Sequence, residues 1–141
     1  MLLKQLSVFM ENRQGRLEEV TNVLATNEIN ITSFSLADTS EYGLLRMIVD
    51  NPEKGKKVLK EAGFSAMLTD VIAVLLPHEI GALNRIMETL KDVNIEYIYV
   101  LATGNHPSLI IKADEIEETI KILQKDGFDL LNERAYTINN Q

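Results

Sequence analysis

Hydrophobic and polar positions follow the same order of patterns twice along the chain. In the first copy, apolar residues alternate with others from Leu6 to Met10, which predicts a half-buried strand. Apolar residues then recur at helical spacing from Leu17 to Leu24, which predicts an amphipathic helix with one buried stripe. The second copy repeats the strand pattern from Val71 to Leu76 and the helical pattern from Leu83 to Leu90. The chain therefore contains an internal duplication.

Each of these helices leads into a predicted hairpin. The hairpin strands are 31–37 and 44–49 in the first copy, and 95–102 and 109–111 in the second. A polar turn joins the two strands in each case, and His106 lies in the second of these turns.

A second helix and a closing strand complete each copy. Asn51 precedes Pro52 as a helix cap, and Asp114 with Glu117 has the spacing of a capping box. The order is β-α-β-β-α-β, twice. This order predicts an α+β protein of two ferredoxin-like domains, each with an antiparallel sheet, both helices on one face and the opposite face open.

Two short motifs mark equivalent positions in the copies. Gly81 lies 66 positions after Gly15, and an Asn-Ile pair at Asn94 lies 64 positions after the pair at Asn30. One unit of roughly 65 residues has therefore been duplicated with a small deletion.

The repeat divides the chain into two predicted domains, residues 1–69 and 70–141. A unit of that size buries only about 60% of its surface alone, so we expect the two to pack together. The composition changes little between the copies, and we expect a tight turn near Thr69 and Asp70.

Composition narrows the classes of function. The chain has 21 acidic and 14 basic residues and a net charge of −7, which disfavours nucleic acids and anionic membranes as partners. It has no cysteine, which excludes disulfides and thiol chemistry. We expect a cytoplasmic protein, because the N-terminus resembles no signal peptide and no apolar run reaches the ~20 residues of a membrane span.

Three motifs of the first copy carry a family resemblance: a polar turn ending in glycine, a leucine two positions later, and the Asn-Ile pair fifteen residues after the glycine. They are Glu11, Asn12, Arg13, Gln14 and Gly15, then Leu17, then Asn30 and Ile31. With them the chain resembles the ACT domain family, small-molecule regulatory modules of amino-acid metabolism. It is similar to the serine-binding ACT domain of D-3-phosphoglycerate dehydrogenase and, as a tandem pair, to the regulatory small subunit of acetolactate synthase.

The resemblance implies a free L-amino acid held where the first turn of one ACT domain meets the second strand of another. Loop 11–17 would pair with Asn94 and loop 78–83 with Asn30, unless the pairing occurs between chains. Besides the first-copy motifs and Arg16, the implied binding residues are His78, Glu79, Ile80, Gly81, Ala82, Leu83, Asn94 and Ile95. His78 stands where the first copy has Asn12, so the second site is expected to be altered or empty.

The residue types are compatible with recognition of a zwitterion. A helix N-terminus attracts a carboxylate, the glycines leave its approach open, asparagine supplies donors and acceptors, and Glu11 could face the ammonium group. Other interpretations stay open: the glycines as turn residues, Asn30 and Asn94 bonded to local backbone, and Glu11, Arg13 and Arg16 as solvated surface charges.

No residues form a nucleophile, acid-base or phosphate-binding constellation, so we expect no enzyme, catalytic residue or cofactor. The two histidines form no metal motif, so we expect no metal. Expected partners are the amino acid, a second copy of the chain in a homodimer, and a metabolic enzyme. The rival hypotheses are a constitutive interaction or regulatory subunit that binds no ligand, and a small enzyme such as an isomerase.

Overall fold

The structure is a computed structural model that describes residues 2–38, 41–103 and 106–131. These residues divide into two compact units. The first unit is Lys4–Thr69, and the second contains the described residues from Asp70 onward together with Leu2 and Leu3.

The first unit contains two helices packed against a sheet. Its elements are β1 (Leu2–Glu11), α1 (Arg16–Thr26), β2 (Ile31–Asp38), β3 (Tyr42–Val49), α2 (Pro52–Glu61) and the first part of β4 (Ser65–Leu75). The strand order is β2-β3-β1-β4, and β3 is antiparallel to both of its neighbours.

The second unit repeats this arrangement. Its elements are the rest of β4, then α3 (Ala82–Thr89), β5 (Ile95–Thr103), β6 (His106–Ala113), α4 (Ile116–Lys125) and β7 (Leu130–Leu131). β4 is antiparallel to β6 and β7, and β5 is antiparallel to β6. The described residues thus form the predicted α+β class with two β-α-β-β-α-β repeats, which confirms the ferredoxin-like fold.

Strand β4 corrects one expectation. Residues Ser65–Leu75 form one uninterrupted strand, so the chain makes no turn at Thr69 and Asp70. The segment has no glycine or proline, and its β-branched residues favour extended backbone. A lone aspartate does not outweigh them.

Each sheet packs one face against its helices. The buried core of the first unit includes Leu6, Val8 and Leu24, and that of the second includes Ile72 and Ile86. Alternate strand residues point to opposite faces, which is why every second residue of β1 enters the core.

The opposite face, which was expected to be open, is partly covered: Phe9 on β1 is half exposed, but other residues of this face are buried. On β1, Gln5 and Ser7 point away from the helices but are buried, and the Gln5 Nε2 atom donates to Ser7 Oγ at 2.9 Å. Val71, Ala73 and Ile110 are buried on the corresponding face of the second unit. Polar groups that are buried this way need hydrogen-bond partners, and the Gln5 amide has one in Ser7.

The second helix begins differently in the two units. The Asn51 side chain accepts a hydrogen bond from the Lys54 N–H at 3.2 Å, and Pro52 is the first helical residue, as predicted. The predicted capping box of Asp114 and Glu117 is wrong. Helix α4 has Glu115 as its N-cap, without a side-chain cap, because the Asp114 carboxylate accepts a bond from the Asn94 amide instead.

Candidate ligand-binding site

The loop between β1 and α1 is built around Gly15. This residue is the N-cap of α1 with φ 88°, in the left-handed region, and no side chain caps the helix. A Cβ at Gly15 would meet no atom within 4 Å, so the glycine is needed for its backbone conformation and not for space. The Asn12 N–H donates to the Glu41 carbonyl at 2.9 Å, which holds the loop against the start of β3.

This loop borders a cleft of about 60 Å³. Five of the predicted site residues line it: Glu11, Asn12, Arg13, Arg16 and Leu17. Gln14 is exposed and is not among the lining residues.

Sequence reasoning missed three lining residues of this cleft, Met10, Leu36 and Gly43. Met10 lies opposite Gly43 in the β1–β3 register, and Leu36 Cδ1 lies 3.5 Å from where a Gly43 Cβ would be. The register of the paired strands brings these residues to the cleft. The alternation of apolar residues along one strand does not reveal that register.

Two arginines bring positive charge to the cleft. Arg13 lies 3.4 Å from the Glu11 carboxylate in an exposed ion pair. Arg16 bonds Glu19 at 2.6 Å, and its guanidinium carbon lies 4.5 Å from the centre of the Phe64 ring. The Arg16 Nε atom is buried and has no hydrogen-bond partner among the described residues. The ion pair and the cation–π contact together hold the Arg16 guanidinium in place.

The second unit repeats the loop geometry. Gly81 is the N-cap of α3 with φ 85°, and its carbonyl accepts from the Arg85 N–H at 3.0 Å. The Arg85 guanidinium pairs with Glu79. A cleft of about 160 Å³ borders this loop, lined by Leu76, Pro77, His78, Glu79, Ala82, Leu83 and Pro107. Ile80 is fully exposed and is not among these residues.

The first leucine of each helical stripe is not buried as the pattern predicts. Leu17 is 43% exposed and Leu83 is 45% exposed, and each lines the cleft of its unit. Val20 and Leu24, later in the first stripe, are fully buried. Leu17, in the first turn of α1, therefore lines the cleft and is not part of the core.

The Asn-Ile pair of the first unit lies far from that unit's loop. Ile31 pairs with Val49 on β3, whereas Glu11 pairs with Tyr42 on the same strand. Those two partners are seven positions apart on β3, a distance of about 24 Å at ~3.4 Å per residue. Within one unit the structure therefore does not bring Asn30 to the loop.

Each asparagine of these pairs contacts an aspartate at the end of the hairpin. The Asn30 N–H donates to Asp50 Oδ1 at 3.0 Å, and the Asp50 N–H returns a bond to the Asn30 carbonyl at 3.1 Å. In the second unit, the Asn94 amide donates to the Asp114 carboxylate, and the Asp114 N–H donates to the Asn94 carbonyl at 3.2 Å. Ile31 and Ile95 pack against the two cores. The repeated motif thus has a structural role.

A family model for the ACT domain pair matches residues 1–138. The chain belongs to the ACT domain pair family. The ACT pair is similar over its whole length to protein BT0572 from Bacteroides thetaiotaomicron, with 37% identity, a TM-score of 0.90 and 98% of that chain covered. No curated protein matches it.

More distant solved structures share the fold of the ACT pair. The regulatory subunit of aspartate kinase from Thermus thermophilus, in its ligand-free form, has 18% identity and a TM-score of 0.61. The match covers 88% of the ACT pair and 92% of that chain. The corresponding subunit from Thermus flavus has 17% identity and a TM-score of 0.57, with 86% and 90% covered.

Among residues 2–38, 41–103 and 106–131, no group of three or more histidine, aspartate or glutamate side chains could hold a metal ion. No helix in the described part of the chain is long and apolar enough to cross a membrane.

Proposed function

We propose that this ACT pair is a regulatory protein, and not an enzyme, which binds a free L-amino acid at the cleft of its first unit. Membership of the ACT family supports a regulatory, ligand-binding role. The observation that carries the proposal is the convergence of Asn12, Arg13 and Arg16 on a helix N-terminus that no side chain caps.

The chemistry of this cleft suits the charged groups of an amino acid. A carboxylate is attracted by the positive end of the α1 dipole and by the guanidinium of Arg16. The Glu11 carboxylate at the rim suits the ammonium group. Leu17 and Leu36 offer apolar contacts for the ligand's carbon atoms.

The volume of the cleft supports a site that a second molecule completes. Ligand pockets typically enclose about 300–1,000 Å³, and this cleft has about 60 Å³. We propose that an ACT unit of a second copy of the chain closes it in a homodimer. Leu17 and Phe34, which is 70% exposed on the edge strand β2, supply apolar surface for that contact.

Asn30 of the second molecule in the homodimer is a better candidate than Asn94 to complete the site. Asn30 bonds Asp50 through its own backbone N–H and carbonyl, and neither bond uses the Asn30 side chain. The side-chain amide of Asn94, in contrast, already donates to Asp114. The side chain of Asn30 is exposed at the end of its sheet.

Binding at such a site would regulate by differential affinity. A ligand shifts an equilibrium only as far as it binds one arrangement more tightly than another. A cleft that two molecules form together supplies that difference in affinity. When the two molecules separate, the ligand loses the hydrogen-bond donors that one of them contributes. The ligand would thereby control self-association, and through it the contact with a metabolic enzyme.

The test is calorimetry and thermal shift with the twenty amino acids. Asn12→Ala should weaken binding by about 1–3 kcal/mol if the side chain bonds a buried ligand. Asn22→Ala is the control, because Asn22 is exposed on α1 and does not line the cleft. If no amino acid shifts the melting temperature, the proposal is wrong.

A constitutive interaction subunit is the second candidate. Phe9 and Tyr42 stack with their ring centres 5.1 Å apart, and both are about half exposed. Aromatic residues are enriched at protein–protein contacts relative to the rest of the surface. Binding of a partner protein with an affinity that no added amino acid changes would favour this function.

A further inference from the structure

The two clefts differ at the residue directly after the left-handed glycine. Gly15 and Gly81 have nearly the same backbone angles and both cap a helix. Arg16 follows the first, and Ala82, which is 3% exposed, follows the second. The same backbone position therefore presents a guanidinium in one unit and a methyl group in the other.

This difference agrees with the sizes and linings of the clefts. In the first unit, Arg16 extends over Phe64 to Glu19, and the cleft measures about 60 Å³. In the second unit, Ala82 leaves a cleft of about 160 Å³. Five of the seven residues that line it are apolar: Leu76, Pro77, Ala82, Leu83 and Pro107.

The two polar side chains that line the second cleft are exposed to solvent. They are His78 and Glu79, and the Glu79 carboxylate is paired with Arg85. The other five lining residues are apolar, whereas two arginines line the first cleft. An ionic side chain would lose its hydration here without gaining a partner.

The geometry points to a second ligand class: the second cleft takes the apolar side chain of a free amino acid, with the size of leucine or phenylalanine. This inference rests on the proposed function, since it assigns the ligand class of the equivalent cleft. An apolar cavity of about 150 Å³ holds a benzene molecule, so a volume of this size suits such a side chain. The amino and carboxylate groups would lie at the rim, by His78 and the N-terminus of α3.

Calorimetry of the full chain with L-leucine and L-alanine tests the inference. Each buried methylene strengthens binding about fourfold, so L-leucine should bind at least tenfold more tightly than L-alanine. Ala82→Arg, which installs the first unit's residue, should weaken L-leucine binding at least tenfold. Asn84→Arg is the control, because Asn84 is exposed on the same helix and does not line the cleft.

Unfolding midpoints of the variants separate loss of binding from loss of the fold. Ala82→Leu fills the same space without a charge and should also weaken L-leucine binding. If neither variant folds, calorimetry of the wild-type chain with free glycine, L-alanine, L-valine and L-leucine decides. The affinity should rise along this series as the side chain grows. Equal affinity for L-leucine and L-alanine, or unchanged L-leucine binding in folded Ala82→Arg, overturns the inference. Binding of another amino acid that Asn12→Ala weakens would then leave the proposed function intact, whereas no binding of any amino acid overturns both.

Discussion

Replacing Gly15 by alanine should lower stability and ligand affinity together. At φ 88° an alanine side chain is strained, which costs about 1–2 kcal/mol. A Cβ there meets no atom within 4 Å, so no steric clash adds to that cost. With a urea m-value of about 2 kcal/mol/M, the unfolding midpoint should fall by roughly 0.5–1 M.

Gly127→Ala is a matched control for this variant. Gly127 has φ 83°, and a Cβ there also meets no atom within 4 Å, but the residue follows α4 and lines neither cleft. Both variants should lose similar free energies of unfolding. Only Gly15→Ala should also lower the affinity for the ligand, because strain at residue 15 displaces the turn that carries Asn12 and Arg13.

Urea unfolding monitored by circular dichroism and calorimetry of ligand binding measure the two effects. A Gly15→Ala variant that loses less than about 0.5 kcal/mol of stability would refute the strained backbone at this position. Equal changes of affinity in the two variants would refute the specific role of the loop.

Two further variants test hydrogen bonds at the ends of elements, each by urea unfolding. Asn51→Ala should lower the free energy of unfolding by about 1 kcal/mol, because the Lys54 N–H loses its cap acceptor; an unchanged midpoint would contradict the cap. Asp50→Ala should cost about 1 kcal/mol, because the Asn30 N–H loses the Asp50 carboxylate. Asp50→Asn, which keeps an acceptor oxygen, should recover most of that loss, and equal losses in both variants would speak against this bond.

Local patterns predicted most of the fold. Apolar periodicity located the helices and strands, and the duplication repeated each pattern in the second half of the chain. The turn expected at Thr69 was wrong, because nothing in the local composition stops β4 there, and a strand's length depends on the neighbours with which it pairs. The capping box at Asp114 failed for a similar reason, since Asn94, twenty residues earlier in the chain, takes its carboxylate.

The candidate site could be predicted only in part. Consecutive residues in one turn stay together, so Glu11, Asn12 and Arg13 lie at one cleft, and their role in ligand binding stays a prediction. Leu36 and Gly43 join them through strand register, which depends on the pairing of β1, β2 and β3. Helical spacing placed Leu17 on a buried stripe, but it does not reveal that this leucine lines the cleft and is 43% exposed.

The sequence by itself determined the order of elements, the duplication and the glycine at each helix start, because these follow from the properties of neighbouring residues. Only the tertiary structure decided that the Asn-Ile pair lies about 24 Å along the strand from the loop of its own unit. It also decided that Arg16 crosses Phe64 while Ala82 leaves the second cleft wider. The physical reason is that such contacts join residues far apart in the chain, and strand pairing and core packing alone bring those residues together.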